Sequence, residues 1–240
     1  MMGEADTAIV VVAGGSGKRF GRSGGKQLAD LCGRPLLAHT LEACCAAPGV
    51  TFVVIVAPAE RIGEYRAAVS DVDTCEVDVG FAPGGARRQD SVAAGIAAVP
   101  ESIGYIAVHD GARPLVSAQA FAQARVLLDS DTRLDGVVVG HRVFDTLKRV
   151  EHGRIIDTPD RTLYWVAQTP QLFRARALRS AYEEAEETAR ERTDDSSLVE
   201  AVGGLVGVVE GARDNIKVTV ESDLALARAV LGARCVEEHE

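Results

Sequence analysis

Lys18, Arg19 and Lys26 follow an apolar run, Ile9 to Val12, across a turn that holds Gly14, Gly15, Gly17, Gly21, Gly24 and Gly25. Glycines let backbone N–H groups crowd around an anion, and the cations supply the opposite charge, so the segment reads as a phosphate holder. Spacing excludes two common phosphate loops. A P-loop needs a glycine five residues before the Gly-Lys pair and a hydroxyl after it, positions that here hold Val12 and Arg19. Counting G-x-G-x-x-G from Gly15 puts Phe20 at the third glycine, and the next apolar run ends at Ala57-Pro58 without a carboxylate to bind a ribose. What remains is G-G-x-G-x-R followed by Lys26-Gln27.

Two further stretches carry chemistry. In Pro83 to Val92 a glycine pair, Gly84-Gly85, leads into a helix pattern with Ser91 near its start, a place for a base or a ribose. The alternative is a plain cap beside a solvated Arg87-Arg88 pair. In Val108 to Pro114, Asp110 stands where it can meet a metal or sugar hydroxyls, and Arg113 can grip a phosphate with its planar fork. The alternative there is a capped turn. Further cations sit at Arg22, Lys148, Arg161 and Lys217, mostly just after strand patterns, in a chain of net charge −9. That balance argues against a nucleic-acid groove and for a field focused on a small polyanion. No nucleophile–histidine pair stands out; His39, His141 and His152 are scattered and read as structural or exposed. A phosphate monoester needs no such pair, because its second pKa near 6 leaves it dianionic and nucleophilic around pH 7.

These loops need a scaffold that aims them. Strand patterns at Thr7–Ala13, Thr51–Ala57, Glu76–Phe81, Tyr105–His109, Asp135–Gly140 and Leu205–Glu210 alternate with helix patterns at Pro35–Ala46, Glu60–Val69, Asp90–Ala98, Ser117–Leu128, Arg174–Arg190 and Ser222–Leu231. Pro35 suits a first helical turn and Ser222 an N-cap. The succession predicts an α/β fold, a doubly wound and mostly parallel sheet. It breaks between His141 and Gln168, where short strands at Asp145–Val150 and Arg154–Ile156 flank a Glu151-His152-Gly153 turn, and no helix pattern follows before Leu172. This β-hairpin arm must bury its face, on another chain or on its own domain. The mixed charges of Glu183 to Arg192 read as a solvated helix face, and Trp165 as a core or subunit contact.

The 240 residues suffice for one large α/β domain. Five cysteines, odd in number and without C-x-x-C, point to free thiols in a cytoplasmic setting, with Cys44 and Cys45 packed in a helix. The short acidic start before Thr7 predicts no signal peptide, and no apolar run reaches the roughly 18 residues of a membrane span.

Gly14–Gln27, Arg88 to Val92, Val108–Pro114, Asp145 to Arg149, Gln168 to Phe173, Thr193-Asp194-Asp195 and Val209 to Thr219 together resemble the 2-C-methyl-D-erythritol 4-phosphate cytidylyltransferase family of nucleotidyltransferases over nearly the whole chain. The resemblance implies a Rossmann-like nucleotidyltransferase domain over residues 1–240 and a dimerisation arm at about 141–168, hence a homodimer. It implies transfer of CMP from CTP to the methylerythritol phosphate, with Mg²⁺ held mainly by the CTP phosphates. Arg19 and Lys26 would stabilise charge on the transferring phosphate. Ala13, Gly14, Gly15, Gly85 and Ser91 would cradle CTP, with Asp110 close to the reacting groups. Arg113, Thr146, Arg161 and Lys217 would hold the acceptor, together with Thr193. Three positions depart from the family pattern: Val12-Ala13-Gly14-Gly15 replaces a frequent Pro-Ala-Ala-Gly, Gly25 replaces a usual proline, and Ala86 occupies a frequently acidic position. A cytidylyltransferase for another polyol phosphate such as ribitol 5-phosphate, a uridylyl- or thymidylyltransferase, and a non-catalytic nucleotide-binding module stay open.

Overall fold

Thr7–Val12 (β1) is apolar on both faces, which suits a strand covered on both sides. The computed structural model, which describes residues 6–15, 20, 25–188 and 192–237 (backbone alone over 235–237), places it inside a seven-stranded sheet. β1 pairs in parallel with Val50–Ala57 (β4) on one side and Tyr105–Asp110 (β6) on the other. Asp78–Pro83 (β5) lies beyond β4. On the far side of β6 come Trp165–Arg174 (β10), Gly136–Arg142 (β7) and Val206–Glu210 (β11), for an order β11-β7-β10-β6-β1-β4-β5. The chain moves outward from β1 through β4 to β5, then returns to the opposite side of β1 as β6. Such a reversal opens a crevice at the carboxyl ends of the two strands flanking it, here after Val12 and Asp110.

Alternate residues of β1 supply the two cores. Ile9 and Val11 pack with Leu37 and Leu41 of Leu36–Cys45 (α1), Tyr65 of Ile62–Ala68 (α2), and Phe121 and Leu128 of Ala118–Ser130 (α4). Ala8 and Val10 pack with Val92 and Ile96 of Arg88–Ala98 (α3), Leu178 of Ala175–Glu187 (α5) and Leu198 of Asp195–Ala201 (α6). Cys44 and Cys45 are buried in the first layer, where burial pushes the Cys45 thiol up to about 11. A third cluster forms around a small ribbon: Leu31 of Asp30–Leu31 and Arg34–Pro35 (β2, β3) packs with Phe20, Leu36, Leu115, Val218 and Leu224, the last on Glu221–Glu237 (α7).

The expected α/β sheet is present, and β10 corrects the reading of the segment before Leu172. It is a ten-residue strand, antiparallel to both neighbours, whose register shifts between Ala167 and Gln171. Its middle, Gln168-Thr169-Pro170-Gln171, is polar and buried, so it lacks the apolar signature of a strand. Helix starts also differ. Pro35 precedes α1 rather than opening its first turn. Ser222 lies inside α7, and the Asp223 carboxylate accepts the backbone N–H groups of Thr219 and Val220 instead. The arm is shorter in strand than expected, Arg149–Glu151 (β8) with Arg154–Asp157 (β9), and every side chain of these two strands is exposed. Glu183, Glu184, Glu186 and Glu187 face water along α5 as the charge pattern predicts.

Candidate active site

Four strand ends meet at the crevice. β1 delivers Ala13-Gly14-Gly15, β4 ends at Ala57, β5 runs through Gly84-Gly85 into α3, and β6 ends on Asp110. Between them lies a cleft of about 280 Å³ lined by Gly14, Gly15, Lys26, Gln27, Gly85, Arg88, Ser91, Asp110 and Lys217, among others.

Asp110 is the electrostatic centre. Its carboxylate is 2.8 Å from the Lys217 ammonium, 3.6 Å from Nε of Arg113 and 3.9 Å from Nε of Arg88. Burial acts to raise its pKa, but the Lys217 ammonium and the two guanidinium groups outweigh burial and hold it at about 2. Below it, His109 has no exposed surface; burial drives its pKa down to about 4, against the pull of Asp110. His109 Nε2 faces the Arg113 carbonyl at 3.4 Å, an acceptor only, so Nε2 carries the proton. Nδ1 then accepts from the Thr169 hydroxyl at 3.0 Å, whose oxygen in turn accepts the Asp110 backbone N–H at 3.0 Å. The imidazole is therefore a neutral spacer.

The cations are anchored through main-chain carbonyls. Lys26 donates to the carbonyl of Val218 at 2.8 Å, and Arg113 Nη1 to that of Asn215 at 2.7 Å, so the Asn215–Val218 segment that carries Lys217 is held from two sides. Gly25, just before Lys26, has φ +74, a left-handed conformation that proline cannot adopt. At the start of α3, the Ser91 hydroxyl accepts the Gly85 N–H and donates to the Arg87 carbonyl, both at 3.1 Å. A Cβ at Gly85 would lie 2.3 Å from Cβ of Asp90, so only glycine permits this turn.

The model of the family described as IspD, 2-C-methyl-D-erythritol 4-phosphate cytidylyltransferase, matches residues 7–233. The protein of that name from Synechococcus sp. (strain CC9902) is 40% identical over 227 residues, covering 94% of this chain and 98% of its own. Among solved structures, the 4-diphosphocytidyl-2C-methyl-D-erythritol synthase of Anaerococcus prevotii superposes with a TM-score of 0.82 at 25% identity, covering 95% of this chain and 99% of that one. The cytidylyltransferase of Thermus thermophilus gives 0.73 at 31% identity, covering 95% and 98%. The chain belongs to this family.

Of the residues expected for a 2-C-methyl-D-erythritol 4-phosphate cytidylyltransferase, the cleft gathers Gly14, Gly15, Lys26, Gly85, Ser91, Asp110 and Lys217. Ala13 lies buried behind the loop, its carbonyl accepting from the Tyr65 hydroxyl at 3.2 Å. Arg19 lies outside the described residues. Arg113 is absent from the cleft lining: its side chain is 11% exposed, Nη1 donates to the Asn215 carbonyl, and Nε lies 3.6 Å from the Asp110 carboxylate. Thr146, Arg161 and Thr193 do not line the cleft either. Thr146 and Arg161 are exposed on the arm, where Arg161 Nη1 donates to the Phe144 carbonyl at 2.5 Å, and Thr193 is exposed just before α6. Gln27 and Arg88 also line the cleft. Gln27 is buried, with Oε1 unpartnered among the described residues. Arg88, rather than being solvated, pairs with Asp195, 107 residues away.

Proposed function

We propose that CTP binds in the cleft at the ends of β1, β5 and β6, with its triphosphate along the Gly14-Gly15 turn and Lys26 and its nucleoside end toward Gly85 and Ser91. The protein is a cytidylyltransferase: it transfers CMP from CTP to 2-C-methyl-D-erythritol 4-phosphate, giving 4-diphosphocytidyl-2-C-methyl-D-erythritol and pyrophosphate. The observation that carries the assignment is the convergence of Lys26, Arg88 and Lys217 with glycine backbone on a cleft whose one lining carboxylate, among the described residues, is already paired.

In the reaction an oxygen of the acceptor's phosphate monoester attacks the α-phosphorus of CTP, forming one P–O bond as the bond to the β-phosphate bridge oxygen breaks. The electron pair leaves with pyrophosphate. The dianionic monoester needs no base, and none is at hand: His109 is neutral with both nitrogens engaged, and Asp110 is ionised through the neutral range. The chain's task is alignment and charge compensation. Lys26 sits where it can meet the charge that grows on the α-phosphate and leaving group, and Lys217 bridges the cleft and the acceptor side. Mg²⁺ would neutralise triphosphate oxygens when bound; a single lining carboxylate suits an ion held mainly by nucleotide and water, and Asp110 would face it.

The arm supports a homodimer. Val150, Ile155, Leu163, Tyr164 and Val166 are exposed on or beside it, an apolar surface that a second copy would cover. Thr146 and Arg161 would then reach the acceptor phosphate in the cleft of the second copy. Pyrophosphate release measured across a panel of NTPs and polyol phosphates with Mg²⁺ tests the whole reading. CTP with 2-C-methyl-D-erythritol 4-phosphate should dominate, and excess EDTA should abolish it. Equal turnover with ATP, or a preference for ribitol 5-phosphate, would overturn the substrate assignment.

A further inference from the structure

Arg88, the first residue of α3, runs between two carboxylates. Its Nη1 and Nη2 donate to the two oxygens of Asp195 at 3.1 and 2.7 Å, while Nε lies 3.9 Å from Oδ1 of Asp110 at the cleft. Asp195 is fully buried at the start of α6 and also accepts the Tyr182 hydroxyl of α5 at 2.5 Å. The preceding Asp194 caps α6 through the Ser197 N–H and accepts from Gln171 of β10 at 2.9 Å. Asp195 alone holds the Nη1–Nη2 edge of the guanidinium, and α5 and β10 steady Asp195 and its neighbour, while Nε faces the cleft. Burial would favour losing the Arg88 proton, but the Asp195 carboxylate outweighs it and raises the pKa, so the fork stays charged.

An arginine that served only as a mobile counter-charge would gain nothing from this backing, since Asp195 cancels much of its field. A planar fork fixed on one side contributes position instead. Buried ion pairs cost desolvation and are weak sources of stability, so the pair is better understood through what it holds in place. What it holds is one flank of Asp110, whose other flank is held by Lys217.

We propose that Asp195, backed by Tyr182, is a positioning residue for nucleotide binding: it fixes Arg88 at the cleft so that Asp110 is braced between Arg88 and Lys217. This rests on the reading of the cleft as the CTP site.

Titration calorimetry with CTP and Mg²⁺ tests it, because affinity per folded site is separated from the folded fraction, which appears as stoichiometry. Asp195→Asn should weaken CTP about tenfold at near-wild-type stoichiometry, and Tyr182→Phe, which keeps the ring, about two- to threefold. Arg88→Lys should match Asp195→Asn, and the double variant should be no weaker than either single one, since both break the same contact. A merely structural Asp195 would lower the melting temperature and the stoichiometry while leaving the affinity of folded sites intact. Affinity within twofold of wild type in Asp195→Asn, or wild-type affinity in Tyr182→Phe should Asp195→Asn not fold, overturns the proposal, as does full additivity in the double variant. If the wild type binds no CTP, the nucleotide reading falls, and the same comparison with inorganic pyrophosphate, a polyanion without a base, decides the role of Asp195.

Discussion

At the cleft and on the arm the same chain treats charge and apolar surface in opposite ways. Asp110 in the cleft and Asp195 behind Arg88 are withdrawn from water, and each is matched by a cation from a distant part of the sequence. On the arm, Arg149 and Glu151 are 3.5 Å apart with about three-fifths of each side chain in solvent, while Ile155 is 63% and Leu163 79% exposed. A buried charge without a partner is costly, so these carboxylates are matched within the chain; exposed ion pairs contribute little, so nothing in the arm's own charges fixes its place. The first region balances its charges internally. The second leaves its apolar side chains in water.

Lys26 carries the largest expected effect. Lys26→Ala should lower kcat about 10² to 10³-fold, roughly 3 to 4 kcal/mol, if the ammonium meets charge that develops only in the transition state. Steady-state kinetics on the folded variant decide the point: unchanged kcat with a raised KM for CTP would make Lys26 a plain binding contact. A second and slightly smaller effect tests the cleft's dependence on burial. His109 has a pKa near 4 in the fold and about 6.5 in the unfolded chain, so the unfolded state binds the extra proton between those values. Its contribution to stability is complete above about pH 6.5 and is lost as pH falls toward 4, a change of roughly 3 kcal/mol. Urea melts between pH 7 and 5 should show that slope in the wild type and a flatter one in His109→Asn; equal slopes would mean that another group carries it. The smallest effect belongs to the arm. If the proposed dimer covers them, Ile155→Asp with Leu163→Asp should leave the melting temperature of the monomer unchanged and weaken that dimer at least tenfold, since burying each aliphatic side chain is worth about 1.5 to 3 kcal/mol. Sedimentation over a concentration series reads this directly, and an unaltered dimer would remove these side chains from the interface.

Regular burial made much of the fold readable. β1, β4 and β6 are short apolar runs because both faces are covered, and α5 shows its buried and solvated sides in its spacing. β10 was unreadable because Gln168, Thr169 and Gln171 are satisfied by partners remote in sequence: Gln168 donates to the Ala212 carbonyl, and Gln171 donates to Asp194 and accepts from the Ser196 N–H. Local pattern cannot reveal a hydrogen bond to a residue dozens of positions away. The cleft divides in the same manner. Gly14, Gly85, Lys26 and Asp110 announce themselves through glycine turns and strand ends, whereas the Arg88–Asp195 pair exists only once α3 and α6 lie side by side. Arg113 has the composition of an anion grip, and only the folded chain reveals that it is buried with Nη1 on the Asn215 carbonyl.

Lys26 and Arg113 both end on backbone oxygens, those of Val218 and Asn215. Every residue type, proline included, carries such an oxygen, so no change of side chain at either acceptor position can delete the acceptor. Mutational scanning would therefore be blind to half of each contact: replacements at 218 would report how well the buried Val218 side chain packs, and replacements at 215 how the Asn215 amide is satisfied, without touching the oxygens that the cations hold. These two anchors on the segment bearing Lys217 are therefore written in the path of the main chain, and a change at the donors, or in that path, is what removes them.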